Sequence, residues 1–195
     1  MVHGCYDSDT LRTLQEIGVR QFGFDLRGRS PNLIPFHQLQ ILLKSLSQDK
    51  VHLIFENDLP STIFSFLNLL KDSPVPLVLE FRDRNTAAFY DSFNTPFSWL
   101  VNPEGEWENI LMTKNLEGLL LPLTHQKFYQ RNEKFWDIIE RRHLSVHLHA
   151  NTLQDTTALS KERDVLISLD LSREFETGFR RVDQNKLKRE LLEIF

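Results

Sequence analysis

Short apolar runs alternate along the chain with segments whose apolar residues recur at helical spacing. The runs at 2–4, 21–26, 51–55, 77–81, 98–101, 118–121, 145–149 and 165–169 read as strands. Most are continuously apolar rather than alternating, the pattern of strands buried on both faces. Between them, 9–17 places Leu11, Leu14 and Ile17 on one face, and 35–46 gathers Leu39, Leu42, Leu43 and Leu46. Segment 61–71 opens on Ser61, a residue suited to cap a helix N-terminus, and carries Ile63, Phe66, Leu67 and Leu70. Further helices are expected at 85–93, 106–112, 132–141 and 183–194, with a short one at 154–159. Strands each followed by a helix predict an α/β fold, a compact (β/α)8 TIM barrel that takes in residues 1–195 as a single domain. At 195 residues the chain is shorter than the roughly 250 typical of such barrels, so its helices and loops must be trimmed.

Composition narrows the partners. A formal net charge of -4 and a pI near 6.0 give no reason to expect nucleic acid. The basic residues Arg180, Arg181, Lys186, Lys188 and Arg189 fit the charged face of a last helix. No apolar stretch reaches the eighteen or so residues of a membrane span, and the first residues lack a signal-peptide pattern, so a cytoplasmic protein without a membrane partner is expected. A single cysteine, Cys5, excludes an internal disulfide and multi-cysteine metal motifs. The 15 phenylalanines include Phe64, Phe66, Phe89, Phe93 and Phe97. Phe66 is expected in the core, and the others are expected to leave an apolar patch, so monomer and homodimer both stay open. Glycine is scarce, with 7 in the chain, which leaves few positions for phosphate-cradling loops.

Two segments carry a resemblance. In 1–31, Val2-His3-Gly4, Gly18, Gly23-Phe24-Asp25-Leu26 and Ser30-Pro31 follow at characteristic spacing, and 169–177 reads Leu-Asp-Leu-Ser-Arg-Glu-Phe-Glu-Thr. Both resemble phosphoribosylanthranilate isomerase, an enzyme of tryptophan biosynthesis. The resemblance implies a (β/α)8 barrel and an Amadori rearrangement with no cofactor. In that reaction a strand-one cysteine is the base, an aspartate ending strand six is the acid, an arginine after strand two holds a carboxylate, and glycine-rich loops near strands six to eight bind phosphate. Carried over position by position, the cysteine is His3, the lysine before it is Met1, the arginine is Asn32 and the acid is Pro122. The glycine-rich run after strand six becomes 126–132, the Gly-Gly after strand seven becomes Ala150-Asn151, and the Ser-Gly after strand eight becomes Arg173-Glu174. Gly4, Gly23, Phe24, Ser30, Pro31, Asp170, Ser172 and Glu176 match. The resemblance thus implies a retained barrel with its acid, base and phosphate loops substituted.

The polar residues expected at the C-terminal ends of the strands, where such barrels act, define the remaining candidates. His3 could serve as a base, or could be a hydrogen-bonded histidine filling the space of a cysteine and water. Cys5, two residues on, points to the same side of strand one and is a second candidate nucleophile or base. His147 and His149 share a face of strand seven, and with His3 or Asp170 they could complete a zinc or iron site for a different, metal-assisted enzyme. No metal is assigned from this spacing alone. His125 follows strand six, Glu80 and Arg82 close strand four, and Asp170 closes strand eight, followed by Ser172 and Arg173. Arg27, Arg29 and Ser30 form a loop that could hold a small anionic ligand, or be a solvated turn.

Overall fold

A computed structural model describes residues 1–150, 152, 166–171, 175–178, 180–192 and 194. Eight strands close a parallel barrel in sequence order: β1 (Val2–His3), β2 (Gln21–Asp25), β3 (Lys50–Phe55), β4 (Leu77–Phe81), β5 (Phe97–Leu100), β6 (Leu116–Pro122), β7 (Ser145–Ala150) and β8 (Leu166–Asp170). Closure comes from β8 pairing with β1, with Val2 opposite Leu169 and His3 opposite Asp170. Around it lie α1 (Ser8–Glu16), α2 (Phe36–Leu43), α3 (Pro60–Leu69), α4 (Ala87–Asp91), α5 (Trp107–Leu111), α6 (Gln126–Arg131), α7 (Glu133–Arg142) and α8 (Gln184–Leu191). The expected (β/α)8 barrel is therefore present, built with helices of ten residues or fewer among those described.

The alternation of side chains along each strand sorts two sets of residues. One set faces the helices: Phe22, Phe24, Leu53, Phe55, Leu79, Phe81, Phe97, Trp99, Leu119 and Leu121 join one hydrophobic core with Leu11, Leu39, Ile63, Ile110, Phe135 and Leu187. Phe81 is the hub of an aromatic cluster, with ring centroids 4.8 Å from Tyr90, 5.6 Å from Phe93, 5.8 Å from Phe97 and 5.9 Å from Phe89. Edge-to-face and offset contacts at such distances add to area burial. The cluster also corrects the expected phenylalanine patch. Phe93 and Phe97 are buried, Phe89 packs against the core, and Phe64 is the exposed one of the group. The other set faces the barrel axis and includes His3, His52, Glu80, Ser98, His147, His149 and Ser168, all buried, with Ile54, Val78 and Leu120. A barrel interior filled by branched aliphatics is the usual solution; this one is largely polar.

Three local readings change. The N-cap of α3 is Leu59, with Pro60 in the first turn, where its missing N–H costs nothing; Ser61 lies inside the helix. Segment 126–132 supplies α6, entered through a 3₁₀ turn (Leu123–His125), and Asn132 caps α7 by accepting from the Phe135 N–H. A two-stranded hairpin, β9 (Glu176–Gly178) and β10 (Arg181–Val182), follows β8. It is strapped to neighbouring loops by the Tyr6 hydroxyl, which donates to Glu176 at 2.9 Å, and by Arg180, which donates to the carbonyls of Pro31 and Leu33. The expected helix at 154–159 and the first residue of the expected strand at 165–169 lie outside the described residues. Of the basic residues near the end, Lys188 pairs with Glu16 at 3.1 Å and Arg189 with Glu190 at 3.2 Å, as a solvated helix face should. No helix among the described residues is long and apolar enough to cross a membrane.

Candidate functional site

Strand β1 ends at His3, because Gly4 takes φ +82°, a conformation that breaks the in–out alternation. His3 therefore points along the barrel interior, while Cys5 turns away and joins the outer hydrophobic core. The expectation that Cys5 shares a side with His3 is thereby corrected. The Cys5 thiol lies 3.6 Å from the Asp7 carbonyl, and burial pushes its pKa far up, which suits packing rather than nucleophilic chemistry.

His3 is the centre of a closed ionic ring. Its Nε2 lies 2.9 Å from Glu80 Oε2 and its Nδ1 2.9 Å from Asp170 Oδ1. Arg82 closes the circuit: Nε donates to the other Glu80 oxygen at 2.8 Å, and its two terminal nitrogens donate to Asp170 at 2.9 and 3.0 Å. The Ser168 hydroxyl lies 3.2 Å from His3 Nδ1. Glu80 is fully buried and Arg82 nearly so, whereas Asp170 keeps 26 % of its side-chain surface exposed toward the mouth. Burial opposes charge on every member, yet the neighbours win. His3 beside Glu80 and Asp170 is raised above its ordinary value, and Glu80 and Asp170 are held well below theirs by His3 and Arg82. With His3 protonated the four charges sum to zero, the condition under which such a group tolerates burial.

Room for this imidazole comes from Gly23. A Cβ there would lie 1.8 Å from His3 Cδ2. Gly23→Ala should therefore expel His3 from the ring and cost about 1–3 kcal/mol or more, as overpacking does. Urea unfolding checks this, and a loss below about 0.5 kcal/mol would show that the ring tolerates His3 elsewhere.

The other interior histidines are less well served. His149 approaches Asp170 Oδ2 at 3.8 Å, and its ring centroid is 6.0 Å from that of His3. His147 is deeper, and neither its Nδ1 nor that of His149 has a hydrogen-bond partner among the described residues. Burial pushes both down to about 4. His52 on β3 has both ring nitrogens buried without a hydrogen-bond partner among the described residues, 3.7 Å from Glu80 at the nearest, and burial depresses it to about 3.

The remaining candidates fall elsewhere. Arg27 is committed, donating to Asp25 through Nε and one terminal nitrogen and to Glu56 at 3.1 Å. Ser30 donates to the same Asp25 at 2.6 Å, and Arg29 is exposed. Arg27 and Ser30 thus form a self-satisfied turn around a buried carboxylate, with Arg29 outside it. Ser172 and Arg173 lie outside the described residues. His125 lies on the rim after β6, where it helps to line a cleft of about 400 Å³ at the C-terminal ends of β3–β6. Arg82, Arg84, Asn57, Asn102 and Thr124 are its other principal polar walls, with Glu56, Asp83, Leu100, Val101 and Pro122. Arg82 thus belongs to both ring and cleft. The sequence marked His3 and Asp170 but not their joining through Glu80 and Arg82, and it missed His52, whose one signal was a histidine inside an otherwise apolar strand.

No family model and no curated protein matches the chain. Solved structures do. Phosphoribosyl anthranilate isomerase from Thermus thermophilus aligns over 98% of this chain and 95% of that one at 17% identity and a TM-score of 0.66. Monomers generated from the dimeric enzyme of Thermotoga maritima align over 97% and 94% at 14% identity and a TM-score of 0.69. A phosphoribosyl anthranilate isomerase in complex with reduced 1-(o-carboxyphenylamino)-1-deoxyribulose 5-phosphate aligns over 99% and 95% at 12% identity and a TM-score of 0.71. At such identities the likeness establishes the architecture: the chain has the closed eight-stranded (β/α)8 barrel fold seen in phosphoribosylanthranilate isomerases.

Proposed function

We propose that residues 1–195 form a single-domain, divergent relative of phosphoribosylanthranilate isomerase that has lost the Amadori mechanism and retains the barrel as a binding scaffold. The observation that carries this reading is the state of His3. Both of its ring nitrogens face carboxylates at 2.9 Å, so the imidazole is held doubly protonated and has no lone pair with which to accept a proton. Each of those carboxylates is also bonded by Arg82, so neither is free to act as an acid at neutral pH. At the position the family uses for its acid, Pro122 has no proton to give, and α6 occupies the segment where a glycine-rich phosphate loop would run.

A ligand would enter the cleft beside Arg82, where two guanidinium N–H groups are left without a bond among the described residues. Arg84, Asn57, Asn102 and Thr124 add donors, while Glu56 and Asp83 face the same space. That balance suits a small ligand with one anionic group better than a phosphorylated sugar.

The test is turnover. Purified chain should not convert phosphoribosylanthranilate, and its gene should not rescue a tryptophan-requiring host that lacks the isomerase. Rescue that disappears in His3→Ala would overturn the proposal and establish an isomerase with His3 as base. The 2.9 Å approach of His3 to the part-exposed Asp170 is the observation that favours this second reading.

A further inference from the structure

We propose that His3, His149 and Asp170 form a site for one divalent transition-metal ion of the zinc class at the mouth of the barrel. The three residues come from adjacent strands, β1, β7 and β8, and His3 is in register with Asp170. Each offers one donor atom, and the three atoms lie within 4.8 Å of one another. Nitrogen and oxygen ligands bind zinc at about 2.0–2.2 Å, so two ligands of one ion stand roughly 3–4 Å apart. The 3.8 Å between His149 Nε2 and Asp170 Oδ2 already has that spacing, and it is too long for a hydrogen bond.

His149 is the independent observation. It is buried, its Nε2 stands 3.8 Å from Asp170 Oδ2, too far for a hydrogen bond, and its Nδ1 has no hydrogen-bond partner among the described residues. Buried polar side chains are nearly always bonded, and an ion between His149 Nε2 and Asp170 Oδ2 supplies a partner on that side of the ring, though not to Nδ1.

The surroundings resemble an outer coordination shell. A ligating imidazole ordinarily gives its second nitrogen to a carboxylate, which fixes the tautomer. His3 does this with Glu80 through Nε2, and an ion would replace the proton that Nδ1 holds against Asp170 Oδ1 at 2.9 Å. Arg82 braces Asp170 from the other side while bonding Glu80. A carboxylate has about four lone-pair positions, so Asp170 can hold Arg82 and still ligate. With His3 neutral, two carboxylates and one guanidinium leave one negative charge, which a cation offsets as the His3 proton otherwise does. Two imidazoles and one carboxylate suit zinc, cobalt or iron(II) and leave a further coordination position open to water or a ligand.

The experiment uses the full chain, stripped with chelator, titrated with Zn²⁺ by calorimetry and with Co²⁺ by visible absorption. The expected result is one ion per chain and ligand-field bands of a low-coordinate cobalt site. Both should be lost in His149→Ala, which removes no hydrogen bond and should fold. Glu80→Gln should weaken affinity by about 10–100-fold, as loss of an outer-shell partner does. His37→Ala, exposed on α2, should bind as the parent does. No stoichiometric binding by folded parent chain, or binding undiminished in His149→Ala, would overturn the proposal. Neither result depends on isomerase turnover, so this inference and the functional reading fail separately.

Discussion

Arg82→Met should destabilise the protein by about 3–5 kcal/mol, the usual cost of removing one partner from a buried ion network. The side chain is 5 % exposed and is the cation that touches both Glu80 and Asp170 besides His3. Methionine fills similar volume, so the loss measures stranded charge rather than a cavity. Two carboxylates would then share one imidazolium, and one of them must take up a proton or admit water. With total stabilities of about 5–15 kcal/mol, a change of this size is severe. Arg82→Lys keeps the charge but not the three-point fork, and it should fall between parent and Met. Urea midpoints measure the series. If Arg82→Met costs less than about 1 kcal/mol, the ring is ornamental and the account of a fixed His3 fails with it.

Acid should destabilise the protein well before its carboxylates titrate, and His52 should account for much of the effect. Burial holds His52 neutral in the folded chain down to about pH 3; facing it, Glu80 favours its charged form, and His3, His147 and Lys50 oppose it. The unfolded chain takes up that proton near pH 6.5. A folded-state value below the unfolded one means stability that is complete above pH 6.5 and is lost as pH falls from 6.5 toward 3. For so large a depression the loss is about 3–5 kcal/mol. His147 and His149, both held near 4, act in the same direction. His3, raised by its carboxylates, acts oppositely: its contribution is complete below pH 6.5 and is lost at higher pH. His52→Leu separates the terms. Both nitrogens it removes lack hydrogen bonds to any described residue, so the variant should match or exceed the parent at pH 7 and lose less between pH 6.5 and 4.5. Parallel profiles for parent and variant would show that His52 is hydrated or bonded and does not carry the acid sensitivity.

How much of this was written locally in the chain differs from residue to residue. The strands announced themselves because both of their faces meet protein: runs such as Val51–Phe55 and Leu77–Phe81 stay apolar at nearly every position, and the observed β3 and β4 depart from them by one residue at most. Helices were placed well where an apolar stripe exists, as at Leu11 and Leu14, and less well at ends, where Pro60 rather than Ser61 opens α3. The ring was not legible. His3, Glu80 and Asp170 lie on three strands, with Arg82 just past the end of β4, and what joins β1 to β4 is the closure of the sheet, a non-local property. Cys5 was misplaced because period-two reasoning assumes an extended chain, and Gly4 ends that regularity. The helix α6 was hidden under an alignment that marked the segment as a former loop.

The ring also bears on how the barrel can come apart. Its bonds cross the axis between β1, β4 and β8, so a chain divided after β4 would leave His3, Glu80 and Arg82 in one fragment and Asp170 alone in the other. The first half-barrel could balance Glu80 against Arg82 by releasing the His3 proton, but the second would hold Asp170 without a cation of the ring. Asp170 meets His3 and Arg82 only at the final closure, which ties the first strands to the last and favours unfolding in one step.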